Sequence, residues 1–405
     1  MASKLGSDFD KLTWAAGVSN VGDGLMGAAF PLLIASLTRD PLLVAGATFA
    51  SRLPWFLFAL VSGALADRMD RKRVMVVTDA LRAVGVGLLA VSVWTGDASV
   101  AFLYVIAFGL GIAETFFDTS AEAFTPRLVA REQLSAANGR LQAVEWVGGA
   151  FAGPPVGALL FAVAASLPFV IDAGSFAFAA VMVALIPGPH RSERVGHGTL
   201  LEDIKEGLGW LWSQHLLRTL VMMAGVINLI TFAIIAIFVL YAQDILGVED
   251  VGYGLLLAAL GLGGLLGALI APTVVRVVGP GNTLRIVMGS AAALTGVFVL
   301  ISDAWLAGAI MGLYGFTSTG WNVVSVSLRQ SLTPDQLRAR VAGAARLLAW
   351  GTQPLGALLG GALAAAIGLR SVFAMSALVY AAMIVITWGV TSNQTIRAAE
   401  AGGPG

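Results

Sequence analysis

Twelve apolar runs, each long enough to cross a bilayer, constrain this chain more than any other feature. They fall at roughly 12–37, 43–66, 74–94, 100–123, 136–164, 167–187, 217–242, 252–276, 284–302, 305–328, 341–367 and 370–390; about 20 apolar residues suffice to span the hydrocarbon. A backbone without water must satisfy its own polar groups, so each run is expected as a helix. Only 12% of the 405 residues are charged, where a soluble domain carries about 25%, so the apolar excess is read as membrane and not as a large soluble core. The first run is of membrane length and lacks a convincing cleavage site, so no signal peptide is expected.

Several kinds of chemistry are set aside early. There is no cysteine, which removes disulfides and thiolate metal sites. His190, His197 and His215 all fall in one polar stretch, so no buried histidine relay is expected. A formal net charge of zero gives no pull toward nucleic acid. No phosphate loop of the Gly-x4-Gly-Lys-Ser/Thr kind occurs. The chain is therefore expected to be no enzyme and to carry no cofactor and no metal.

Basic residues set the orientation. One set of loops holds Lys4, Lys11, Arg68, Arg71, Lys72, Arg73, Arg127, Arg131, Arg191, Arg194, Lys205, Arg276, Arg285, Arg329, Arg338 and Arg397, and the other set holds only Arg39 and Arg370. Lys and Arg resist translocation, so both termini are expected in the cytoplasm. Six runs lie in 1–188. A linker at 189–215 carries apolar residues at 201, 204, 208, 211 and 212, the spacing of an amphipathic helix lying on the inner face. Six more runs lie in 216–391, and 392–405 is expected as a cytoplasmic tail. The halves repeat: Arg131-Glu-Gln-Leu134 aligns with Pro334-Asp-Gln-Leu337, Gly153 and Gly157 with Gly356 and Gly360, and Gly63-Ala-Leu with Gly267-Ala-Leu.

The densest charge cluster, Gly63-Ala-Leu-Ala-Asp67-Arg68-Met-Asp70-Arg71-Lys72-Arg73, resembles the signature of the major facilitator superfamily between its second and third helices. Gly63, Asp67, Arg68, Arg71 and Lys72 match, and Asp70 replaces the usual second Gly. Gly149-Ala-Phe-Ala-Gly153-Pro154-Pro155-Val-Gly157 resembles the fifth-helix motif of drug–proton antiporters, with Ala158 for the last Gly and Arg140 where an upstream Gly is expected. Gly149, Gly153, Pro154 and Gly157 are read as a helix-packing motif; ordinary small-residue packing is the alternative. The Asp67-Arg68-Met-Asp70-Arg71 form and the Asp172-Ala-Gly-Ser-Phe176 block look closest to the branch holding siderophore and macrolide exporters.

The resemblance implies an all-α integral membrane protein with twelve transmembrane helices in two pseudo-symmetric six-helix bundles around a central cavity. It also implies that the first and fourth helices line that cavity, while the third and sixth are peripheral. Arg71 would pair with Asp118 or Glu122, and Asp67 would face the helix beginning near Asp335 to Arg340. Gly63, Asp67, Arg68, Arg71, Lys72 and Glu122 would then form a cytoplasmic gate. The Arg that many antiporters carry in the fourth helix is absent, and Glu114 stands in that region.

Seven carboxylates lie inside the apolar runs of the first half: Asp23, Asp79, Glu114, Asp118, Glu122, Glu145 and Asp172. Buried charge is costly in hydrocarbon, so such groups usually face a bundle interior or a wet cavity. Between Tyr253 and Pro334 the only acid is Asp303, which places any protonation switch in the first half. Glu114, Asp118 and Glu122 are spaced i, i+4, i+8 and share one helix face. Asp23, Glu114 and Asp118 are the proton-coupling candidates. Asp23 could instead pair statically with Arg52, or cap a break at Gly22 and Gly24. Arg140 is expected to pair with Glu145; the peripheral place that the resemblance gives the third and sixth helices implies packing or capping for Asp79, Arg82 and Asp172.

Arg52, Phe117, Glu145, Trp146, Asn228, Trp321, Asn322, Arg346, Trp350 and Gln353 are candidates to line a substrate cavity, although most aromatics simply pack. Trp14, Trp94, Trp212 and Trp305 read as interface anchors. The expectation is a monomeric secondary transporter of the bacterial inner membrane. It would export a small-molecule substrate (drug, macrolide or siderophore) by alternating access, with protons and the lipid bilayer as its other partners. A facilitator or importer of the same fold is the first rival, separated by uncoupler sensitivity and direction of flux. A transporter-like receptor that moves nothing is the second, separated by any solute flux at all.

Overall fold

The computed structural model describes residues 5–66, 69–188, 200–334 and 336–402, with side chains left aside at 59–61, 63–66, 123, 131, 200–204 and 339. Its elements are helices: α1 (Ser7–Leu37), α2 (Pro41–Ala66), α3 (Arg71–Thr95), α4 (Val100–Phe124), α5 (Leu134–Glu145), α6 (Gly153–Val163), α7 (Leu167–Ala184), α8 (Leu200–Ser213), α9 (His215–Asp244), α10 (Asp250–Val278), α11 (Pro280–Val297), α12 (Ala304–Leu332), α13 (Arg338–Trp350), α14 (Gln353–Ile367), α15 (Leu369–Thr387) and α16 (Asn393–Gly402).

Local chemistry sets the helix ends. Asp40 accepts from the Leu42 N–H at 2.8 Å just ahead of α2, whose first residue is Pro41. Asp70 accepts from Arg73 N–H at 3.2 Å. The residue that departs from the superfamily signature is thus the N-cap of α3. Asp303 caps α12 through Leu306 N–H at 2.7 Å. Gly96 ends α3 in the left-handed conformation, φ 79°, which glycine adopts without strain.

Among the described residues, ten helical stretches are long and apolar enough to cross a membrane. Two of these, Leu134–Val163 and Arg340–Ile367, each run through a broken pair, α5–α6 and α13–α14. Of the twelve expected runs, those now seen as α11 and α12 are not among the ten. Arg285 and Asn282 dilute the first, and a Thr/Ser/Asn-rich second half ending in Arg329 dilutes the other.

The chain divides into two compact units. Unit 1 holds Met1–Arg39, Ala50–Gly196 and Val248–Ala258; unit 2 holds Asp40–Phe49, His197–Gly247 and Ala259–Gly405. The start of α2 therefore belongs to unit 2 and the start of α10 to unit 1. Glycine makes both attachments possible. In unit 1 a Cβ on Gly254 would sit 2.5 Å from Ala158 Cβ, and in unit 2 a Cβ on Gly361 would sit 2.5 Å from Ala45 Cβ.

Inside unit 1, α1 lies along α6 and α7, and α3 along α4 and α7. A Cβ on Gly153 would come 2.5 Å from Gly24 Cα, and one on Gly157 2.6 Å from Leu25 Cα. The packing motif thus brings α6 into backbone contact with α1. Pro154 and Pro155 give no N–H to the preceding turn, and the helix widens to π geometry over Trp146–Ala152, a known way of relieving such a break. Unit 2 repeats the device: Cβ atoms on Gly356 and Gly360 would meet Leu229 and Ala233 Cα of α9 at 2.9 and 2.6 Å. Asn20 in α1 and Asn228 in α9 each donate to the carbonyl four residues back, at 2.8 and 2.9 Å.

Two peripheral segments differ from expectation. α8 packs on α13, with Gly207 against the Arg340 backbone, Glu206 bonded to Arg340 at 2.6 Å and Leu211 in the apolar core of unit 2. At Leu211 its apolar side covers protein. Residues 189–199 of the expected linker lie outside the described residues. The expected tail is helical as α16, with Ile396 in the core of unit 2. Asn393 Oδ1 accepts from Gly281 and Asn282 N–H at 2.7 and 3.3 Å, and its Nδ2 donates to Val278 carbonyl at 3.2 Å. Asn393→Ala is expected to cost about 1–3 kcal/mol and lower the thermal midpoint in detergent by a few degrees, read by a melting curve of the purified protein. Trp14, Trp94, Trp212 and Trp305 are all exposed.

Candidate functional site

The charged residues of the apolar runs converge inside unit 1. α4 is drawn close to α2 at Gly111, where a Cβ would lie 2.9 Å from the Pro54 ring. Nearby on the same two helices, Arg52 Nη1 of α2 stands 3.5 Å from Glu114 Oε1 of α4. Both side chains are over a third exposed, so this pair holds weakly and parts easily. Ser62 and Thr119 bond at 3.1 Å further along the same crossing.

Asp23 is exposed. It lies within electrostatic reach of Arg82, Glu114, Glu145 and Arg52. Arg52, expected as a static partner of Asp23, pairs with Glu114 and also acts electrostatically on Asp23. Asp118 is half-buried and faces the Arg82 cation. Glu145 and Glu122 are exposed, and Trp146 and Phe117 half-buried. Arg140 pairs with Asp10 at 2.9 Å in place of the expected Glu145, because Arg140 and Asp10 face each other where α5 packs on α1.

Behind this open face lies a dry set that the sequence reading assigned to packing. Arg82 Nη1 is 3.7 Å from Asp79 Oδ1, with side chains 6% and 0% exposed. The guanidinium sits over Phe117 at 5.0 Å and Phe176 at 5.2 Å, an arrangement that suits a desolvated cation. Asp172 on α7 accepts from Ser175 Oγ at 3.1 Å. In the sequence this set shows as Asp79 and Arg82 one helical turn apart and as Asp172 inside another apolar run.

Of the expected gate, Asp67, Arg68 and Asp335 lie outside the described residues, and Gly63 is within α2. Arg71 opens α3 and Glu122 is in the last turn of α4. Lys72 Nζ donates to the Ile186 carbonyl at 2.5 Å, tying the start of α3 to the chain leaving α7.

Unit 2 holds the neutral candidates. Gln353 Nε2 donates to Asn228 Oδ1 at 3.0 Å, and Arg346 lies over Trp350 at 5.1 Å. Asn322 is exposed. Trp321, expected as a cavity residue, packs instead in the apolar core with Leu284 and Val287.

Residues 5–401 match the family MFS_3, transmembrane secretion effector. The chain is 30% identical over 384 residues to the multidrug efflux pump Tap of Mycolicibacterium fortuitum, covering 89% of this chain and 90% of that protein. It is 27% identical over 332 residues to the enterobactin exporter EntS of Citrobacter koseri, covering 80% and 78%. Among solved structures it resembles the nucleoside transporter NupG, with TM-score 0.71, 11% identity and 95% and 99% coverage. It also resembles a bacterial homologue of the iron transporter ferroportin, with TM-score 0.71, 17% identity and 95% and 98% coverage. These two likenesses concern the fold alone. The chain belongs to the transmembrane secretion effector family of the major facilitator superfamily and is a membrane transporter, not an enzyme.

Proposed function

We propose that this transporter exports small amphipathic molecules in exchange for protons. The observation that carries the reading is Asp23, open on one face of unit 1 and within reach of the loosely held Arg52–Glu114 pair. An acid in that position can take and release a proton, and each change of its charge alters what Arg52 and Glu114 experience. Binding of substrate and of proton at one site would then oppose each other, which is the thermodynamic basis of antiport. Alternating access proceeds between two six-helix bundles, with α11 and α12 completing twelve spans. The protein works as a monomer in the inner membrane of a bacterium, with both termini in the cytoplasm. Relatives named as multidrug and enterobactin exporters support a drug or a siderophore as substrate.

Expression in an efflux-deficient host, against a panel of drugs and a catecholate siderophore, identifies the substrate. Purified protein in proteoliposomes with an imposed pH gradient then tests the coupling. Accumulation should follow the gradient and collapse with a protonophore. Flux indifferent to the gradient would overturn the antiport reading.

The gate is part of the same proposal, with Arg71 and Glu122 as partners. Arg71→Glu and Glu122→Arg are each expected to impair transport, and the two together to restore it in part. Absence of mutual rescue in that double variant would count against the contact.

A further inference from the structure

The buried charges of unit 1 do not balance. Asp79 and Asp172 are 0% and 1% exposed. Among the described residues, neither oxygen of Asp79 has a hydrogen-bond partner, and neither does Oδ2 of Asp172. Arg82 is the cation facing both. A dry carboxylate without donors is the most costly state such a group can occupy. One guanidinium compensates one of the two acids and leaves the other to be neutralised by something else.

We propose that Asp79 and Asp172 carry one exchangeable proton, one acid neutral while the other pairs with Arg82, and that Asp23 is the door through which this proton reaches the open side of unit 1. The proposal rests on the proton-coupling reading above and deepens it. The geometry supplies the door. Gly22 has no side chain, and a Cβ there would collide with Asp172 Oδ1 and Ser175 Oγ. The Asp172 carboxyl therefore lies directly against the α1 backbone, one residue before Asp23. Transfer breaks the O–H of the buried acid and forms one on the Asp23 carboxylate, and no co-reactant is needed.

Other charges face this set from the neighbouring helices. From α4 come Asp118, which faces Arg82 and Asp23, and Glu114, which faces Asp23. Arg52 of α2 and Glu145 of α5 also face Asp23. A metal cation is disfavoured because the fixed guanidinium beside Asp79 would repel it. A proton adds no such repulsion, since it turns an anion into a neutral group.

Infrared spectroscopy of the full chain in lipid tests this. A protonated-carboxyl C=O band, shifted in D2O, is expected at neutral pH. Asp79→Asn and Asp172→Asn should each abolish it, because the remaining acid then pairs with Arg82 and needs no proton. Both single variants keep the cluster neutral and should fold. Arg82→Gln should add a second such band. Survival of the band in either Asn variant overturns the proposal, and so does a band that follows sodium and not pH. The measurement needs no transport. Gradient-independent flux with the band behaving as described removes the antiport reading and leaves the proton site; the reverse result does the opposite.

Discussion

Proteoliposomes carrying Asp23→Asn are expected to lose gradient-driven accumulation while keeping substrate exchange. Asparagine nearly matches the shape of aspartate, so α1 should pack as before, with Gly24 still against Gly153. What disappears is a group that can hold a proton on the open face. A gradient of one pH unit is worth about 1.4 kcal/mol per proton, or about tenfold accumulation at one proton per substrate. In the variant the ratio should fall to about one. Exchange of labelled for unlabelled substrate needs no net proton movement and should continue. Glu114→Gln should behave differently. It removes one partner of a half-exposed pair, so the rate should change more than the final accumulation ratio. Retention of full accumulation by Asp23→Asn would mean that the proton enters unit 1 by another route.

The contrast between Asp23 and the set behind it shows what the sequence could yield. Helical spans were legible because the bilayer demands unbroken apolar runs of fixed length. The packing motif was legible because Gly153 and Gly157 have one physical use there, bringing α6 onto α1. Asp23 and Glu114 stood out because acids in oily runs need a reason. Partner choice was another matter. Arg52 bonds Glu114 and Arg140 bonds Asp10, and both depend on helix rotations that periodicity leaves free by tens of degrees. The setting of Arg82 was not legible for a related reason. Its position between Phe117 and Phe176 depends on where α3, α4 and α7 meet, a property of three helices that no single run encodes. The attachment of the starts of α2 and α10 to units formed mainly by the other half rests on Gly361 and Gly254. Each looks like one more small residue in a glycine-rich chain.

Gly153→Ala should damage the packing beside the site. The new Cβ would lie 2.5 Å from Gly24 Cα and 2.6 Å from the Gly148 carbonyl oxygen. Both neighbours are backbone, which cannot rotate away as a side chain would, so α1 and α6 must separate. Overpacking of this kind costs about 1–3 kcal/mol, or a fall of several degrees in the thermal midpoint for a unit of this size. Gly109→Ala gives the opposite sign. Nothing lies within 4 Å of a Cβ there, so the helix gains about 0.5–1 kcal/mol from reduced backbone freedom in the unfolded chain. Gly360→Ala places a Cβ 2.6 Å from Ala233 Cα in unit 2 and should destabilise about as much as Gly153→Ala. The two differ in what else they move. Gly24 follows Asp23 directly, so displacing α1 shifts the proton door relative to Asp172 and Glu114. Gly153→Ala should therefore lower the gradient-driven accumulation ratio even at temperatures where the protein stays folded. Gly360→Ala should lower stability while the ratio holds. Equal loss of accumulation in both variants would show that coupling depends on overall packing and not on the position of α1 against α6.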